Sequence, residues 1–189
     1  GMFEGSTTED FADDALAGVK YLKDRADIDP GHIGLIGHSE GGLVAPMAAV
    51  RSSDVSFIVL LAGPGVVGEE ILYAQQALIA RDLGASEEDI ATGRAINGMI
   101  FDIMKEESDN QAAADRIRQA IRLFEGISGA ERREAETALV AQFPFLLSDW
   151  YRFFLTYDPV PALRQVTVPV LAINGSTDLQ VPPDNLQAI

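Results

Sequence analysis

The 189-residue sequence has no cysteine and only two histidines, His32 and His38. Without cysteine there is no disulfide, no thiol nucleophile and no thiolate metal site. No ligand spacing for a metal, phosphate-cradling glycine loop or cofactor signature is present either, so no metal or cofactor is expected. Basic residues are scarce, 14 against 29 acidic ones for a net charge of −15, and they are scattered. That excludes the basic patch a nucleic acid or an anionic membrane surface would need. No apolar run is long enough to cross a bilayer. Apolar residues still make up 47% of the chain, enough for one globular domain with a sizeable core. Missing cysteine does not separate cytoplasm from periplasm, so the compartment stays open. Gly1 before Met2 reads as a tag remnant, after which no signal peptide follows.

Against these absences stands one dense motif, Gly37-His38-Ser39-Glu40-Gly41-Gly42. It follows the apolar run Ile33 to Ile36 and opens a helix-like run from Leu43 to Val50. A strand turning through G-x-S-x-G into a helix is a nucleophile elbow, which nominates Ser39 as a catalytic nucleophile. The turn is tight and strains the serine backbone. Side chains two residues before and two after the serine are expected to collide, which accounts for Gly37 and Gly41. Gly42 would let the helix pack close to the sheet. The helix N-terminus directs free N–H groups at the serine, and the Glu40 N–H is the expected oxyanion donor.

Ser6-Thr7-Thr8-Glu9-Asp10 has capping-box character, with apolar residues at helical spacing from Phe11 to Leu22. Asp29-Pro30-Gly31 is a turn. The apolar runs near 33–37, 55–62 and 168–174 read as buried parallel strands, the first two joined through the elbow helix as a right-handed βαβ unit. Between the second and third, about four or five helices are expected from the periodicity. Breaks fall at Gly84-Ala85-Ser86, Ser108-Asp109-Asn110 and Gly126 to Gly129. The fold class is therefore α/β, with a core formed by 1–66 and 158–189 and a helical insertion over 67–157. Aromatics concentrate in Phe143 to Phe154, where Trp150 and Tyr151 are the candidates for a substrate pocket above Ser39.

In an open α/β sheet, functional residues gather beyond the C-terminal ends of the strands. Asp178 follows the third strand there, as the acid of a Ser…Asp…His order should. It would hold a histidine in the right tautomer and stabilise the imidazolium. No histidine follows it. His32 lies at the wrong end of its strand, and the side chain of His38, next to the nucleophile, points away from it.

Ile33 to Ala49, Phe57 to Gly63 and Asp158 to Asp178 together resemble the α/β-hydrolase superfamily, in its carboxylesterase, dienelactone-hydrolase and prolyl-oligopeptidase-like branch. The resemblance runs end to end and is weak within the helical insertion, which looks like the cap such esterases carry. It implies a serine hydrolase cleaving carboxylic esters, small-molecule substrates and no cofactor. In that family several strands precede the elbow strand, and a final strand and histidine loop follow the acid. The chain thus resembles an interior piece of a longer hydrolase, with Phe3 to Thr7 similar to the loop before the elbow. Exposed sheet edges would then favour a homo-oligomer. A peptidase of the prolyl-oligopeptidase type and an inactive binding or self-associating module are the other readings.

Overall fold

The computed structural model describes residues 5–189, so the expectations about Gly1 to Glu4 lie outside the described residues. Among the described residues, eight α-helices and three strands follow in the order α1 (Thr8–Lys23), β1 (Gly34–His38), α2 (Gly41–Arg51), β2 (Phe57–Leu61), α3 (Gly68–Asp82), α4 (Glu87–Glu106), α5 (Asn110–Leu123), α6 (Gly129–Leu146), α7 (Asp149–Thr156), α8 (Val160–Leu163) and β3 (Val170–Ile173). Short 3₁₀ turns cover Pro30–His32 and Pro183–Gln187. The strands form one parallel sheet in the order β1-β2-β3. Gly37 is level with Leu60, and Leu60 with Ala172.

Helix starts fall where side chains can take the free N–H groups. Ser86, Asp109, Ser128 and Ser148 each accept a backbone N–H at the head of α4, α5, α6 and α7. At the head of α1 the Thr7 N–H donates to Asp10 Oδ2 at 2.7 Å, and this holds the Asp10 carboxyl below its usual range. Ahead of β1, Asp29 Oδ1 accepts the Gly31 N–H, and its other oxygen meets His32 Nδ1 at 2.8 Å. His32 is thus an exposed residue of the turn ahead of β1.

Three apolar clusters hold the molecule. One lies under a single face of the sheet and joins Val19 of α1, Ala45 of α2, Ile33, Val55, Ile58 and Leu60. The second, around the elbow, brings Leu43 and Met47 of α2 together with Ile71 of α3, Phe154 of α7 and Val181. The third is internal to the helical segment and centres on Phe101, Ile117, Tyr151 and Leu155. Arg152 fastens that segment by donating to the carbonyls of Met104 and Glu107 at the end of α4 and to Asn110 Oδ1 at the head of α5.

The strands were expected to be buried on both faces, and the structure differs. Among the described residues helices cover only one face. On the other, Ile36 is 71%, Leu171 54% and Ile173 48% exposed. The sequence is apolar at both alternating sets of positions, and this reads as double burial whether or not both faces are covered. The strands are also shorter than the apolar runs. Val55 is buried yet precedes β2, and Val168 packs in the same cluster ahead of β3.

Candidate active site

β1 ends at His38, and the chain then reverses within two residues into α2. Ser39 makes that reversal with φ +53°, the left-handed region that a side-chain-bearing residue adopts at a cost of about 1–3 kcal/mol. Its N–H donates to Leu61 O at 2.9 Å, and its own carbonyl accepts the Gly42 N–H at 2.8 Å. A β-carbon on Gly37 would stand 1.9 Å from the Gly41 carbonyl oxygen, and one on Gly42 would stand 2.4 Å from Gly63 Cα. Neither position can carry a side chain without moving backbone. Gly41 departs from expectation: a β-carbon there meets nothing within 4 Å. The collision is one-sided, because Gly37 runs into the backbone of residue 41 and the side-chain direction of residue 41 is open.

Glu40 sits at the N-cap of α2, and its carbonyl accepts Leu43 N–H at 2.8 Å. Its own N–H has no acceptor among the described residues. It is available, at the positive end of the helix, for an anion forming at Ser39. The side chain of His38 is exposed on the same sheet face as Ile36, away from the cavity.

Ser39 opens onto a cavity of about 380 Å³. Glu40, Trp150, Tyr151, Phe154, Gln180 and Val181 form much of its wall. The sequence-derived pocket candidates Trp150 and Tyr151 are therefore brought to Ser39. Among the described residues, Glu40 is the one charged side chain in the lining. Burial pushes the Tyr151 phenol up to about 12, so it is neutral and donor-competent at any ordinary pH. A larger cavity of about 540 Å³ lies on the other side of Trp150, between Phe143 to Trp150 and Gly5-Ser6, and does not reach Ser39. The smaller one is the cavity that contains the serine at positive φ.

Asp178 does not itself line the cavity. It lies just behind it, in the loop after β3, where its Oδ1 accepts the N–H groups of Gln180 (2.8 Å) and Val181 (3.0 Å). Its Oδ2 has no partner among the described residues. One bond closes the loop on itself and one ties the turn that follows it to the loop after β2. Asn174 Nδ2 donates to Val181 O at 2.9 Å, and buried Asn185 Oδ1 accepts the Gly65 N–H at 2.9 Å. Sequence reasoning missed Asn185, and also Gln75, Gln142 and Gln180, which give the cavity its neutral polar groups. Asn185 could have been sought as the polar residue just after a Pro-Pro turn. The glutamines carry no such signal. Neither histidine lines the cavity, and no cluster of metal-ligating side chains occurs among the described residues.

A serine at positive φ between a strand and a helix, with an aspartate beyond a later parallel strand, is the arrangement of the α/β-hydrolase fold. The chain belongs to this class: the model of the alpha/beta hydrolase family matches residues 1–188. Among solved structures it is similar to Rv0554 of Mycobacterium tuberculosis (22% identity, TM-score 0.48, covering 98% of this chain and 60% of that one). It is also similar to BpoC of Mycobacterium tuberculosis H37Rv, provisionally assigned as a non-heme bromoperoxidase (21% identity, TM-score 0.47, covering 98% and 61%). VinJ matches at 14% identity and a TM-score of 0.51, covering 96% and 60%. The chain thus spans about 60% of the length of these structures. No curated protein matches it significantly.

Proposed function

We propose that the protein is a serine hydrolase that cleaves carboxylic esters through an acyl-enzyme on Ser39. Ser39 Oγ attacks the ester carbonyl carbon as its proton passes to a histidine base. The carbonyl oxygen becomes an oxyanion held by the Glu40 N–H. Collapse of this intermediate restores the C=O, breaks the bond to the alcohol oxygen, and returns the proton to that oxygen. Water then repeats the sequence, leaving the acid and free Ser39. Asp178 orients the base through its free Oδ2. The base is neither His32 nor His38, and on this reading it is supplied from outside these 189 residues. The helical segment α3–α7 acts as a cap, with Trp150 and Tyr151 against the substrate. An ester is favoured over a peptide because an apolar cavity under a helical layer suits a small substrate.

The observation that carries this reading is Ser39, held at positive φ beside a helix N-terminus and opening onto a partly open, mainly apolar cavity. It is tested with a fluorophosphonate probe on the chain alone and on a version extended to the length of its structural relatives. The expected result is a Ser39 adduct in the extended chain that is lost in Ser39→Ala. An extended chain that labels no better than Ser39→Ala would sink the proposal and leave the inactive-module reading.

We also infer that these 189 residues alone self-associate. The uncovered sheet face carries Ile36, Leu171 and Ile173, and the outer edges of β1 and β3 have no partner strand among the described residues. A second copy of the chain is the occupant. Sedimentation should show concentration-dependent dimers that Ile36→Lys weakens. A wild-type chain that stays monomeric at high concentration refutes it.

A further inference from the structure

The charged wall of the Ser39 cavity is hydrogen-bonded across the fold. Glu40 Oε1 accepts Trp150 Nε1–H at 2.5 Å and Thr8 Oγ1–H at 2.7 Å. Thr8 is fully buried at the head of α1, while Glu40 and Trp150 are half-buried. Trp150 stacks on Phe154 with ring centroids 5.5 Å apart and packs against Phe145 at 5.4 Å, and both of those rings line the same cavity. One carboxylate oxygen thus ties together the residue after the nucleophile, the first turn of α1 and the aromatic wall on α7.

We propose that the Glu40 carboxylate is a positioning and specificity-determining residue: it latches Trp150 to the elbow and so fixes the wall against which the substrate's apolar group seats. What is seated there rests on the serine-hydrolase reading above, but the latch does not. Three physical features support it. A carboxylate acceptor makes a stronger bond to an N–H donor than a neutral group would. The carboxylate lies at the positive end of α2, where a negative charge is favourably placed. Among the described residues the cavity offers the indole no other anionic partner. Because the Glu40 N–H is also the oxyanion donor, anything that swings its side chain also disturbs the peptide that faces the reacting carbonyl.

Trp150 is the sole tryptophan of the chain, so its emission reports on the latch without any assay of activity. Glu40→Ala should red-shift that emission and raise its quenching by acrylamide about threefold, as a half-buried indole loses its acceptor and loosens. Glu40→Gln should stay close to wild type, since its amide oxygen can accept both donors. Should Glu40→Ala fail to fold, Glu40→Met fills the same volume without a carboxylate and gives the same reading. In the extended chain, the preference for p-nitrophenyl butyrate over p-nitrophenyl acetate should fall about tenfold in Glu40→Ala. It should fall similarly in Trp150→Phe, with no further loss in the double variant. Unchanged emission and quenching in both Glu40→Ala and Glu40→Met would overturn the latch. Additive losses of preference would overturn its role in specificity. An extended chain with the expected emission changes but no ester turnover would support the latch and overturn the hydrolase reading.

Discussion

Replacing Gly37 by alanine isolates the steric demand of the elbow from everything else in the site. The new methyl would lie 1.9 Å from the Gly41 carbonyl oxygen, about 1.5 Å short of ordinary contact. Local distortion cannot make up the difference. A 15° bend in one bond angle costs about 4 kcal/mol and moves an atom by only about 0.4 Å. The first turn of α2 has to move instead, and α2 carries Leu43, Ala45, Met47 and Ala48 into the core. Gly37→Ala should therefore reach or exceed the upper range for overpacking, about 3 kcal/mol, out of a total stability of about 5–15 kcal/mol. In urea, with a slope of about 2 kcal/mol per molar, the midpoint should fall by about 1.5 M or more. Gly41→Ala is the matched control. Its β-carbon points into open space, and losing a flexible glycine at the head of a helix should stabilise the fold by about 0.4–1 kcal/mol. The reasoning fails if Gly37→Ala unfolds within about 0.5 kcal/mol of wild type, or if Gly41→Ala is as damaging as Gly37→Ala.

The strain at Ser39 gives a second test: Ser39→Gly relieves the φ of +53° and should be about 1 kcal/mol more stable than Ser39→Ala, a melting-temperature difference of about 2–4 °C. Equal melting temperatures would show that the backbone is not strained there. Stability should also depend on alkaline pH through Tyr151. Its folded phenol titrates at about 12 and an exposed one at 10.0, so between these values the folded state keeps a proton the unfolded state has lost. Stability from this group is thus intact below pH 10 and falls as pH rises towards 12, by about 2–3 kcal/mol. Urea midpoints at pH 8 and 11 should converge in Tyr151→Phe without becoming equal, because Tyr73, pushed up to about 12 by burial and by Glu69, keeps part of the slope. An unchanged slope in Tyr151→Phe would refute the assignment.

How much of this was legible depends on how far apart the interacting residues lie. The elbow was readable because strand, turn and helix signals fall within 17 consecutive residues, Ile33 to Ala49. The breaks before α4, α5 and α6 were readable because Ser86, Asp109 and Ser128 act on backbone N–H groups three residues away. The break between α6 and α7 was not, because apolar and aromatic residues crowd both sides of Ser148. Asp178 could be placed by topology alone, since a parallel strand must end on the same side as its neighbours. The carboxylate of Glu40 could not. Its contacts lie 32 and 110 residues away, and a glutamate at a helix head has an ordinary local explanation in the dipole.

The same distinction separates what builds the site from what shapes it. Ser39 N–H reaches Leu61 O, and Ala62, itself at φ +49°, donates its N–H to Ile173 O. Each strand end is thus bound to the next, so the elbow, the loop after β2 and the loop carrying Asp178 open on one edge of the sheet. Asn185, in the turn that follows, is tied to Gly65. All of these bonds join backbone to backbone or a buried side chain to backbone, and they leave little freedom to the groups around Ser39. The aromatic wall is held differently, by ring packing and by one side-chain hydrogen bond to Glu40. Changes at Gly37 or Asn185 should therefore cost stability and chemistry together. Changes at Trp150 should alter chiefly which substrate fits, and changes at Glu40 should do so while also lowering turnover through the peptide that follows Ser39.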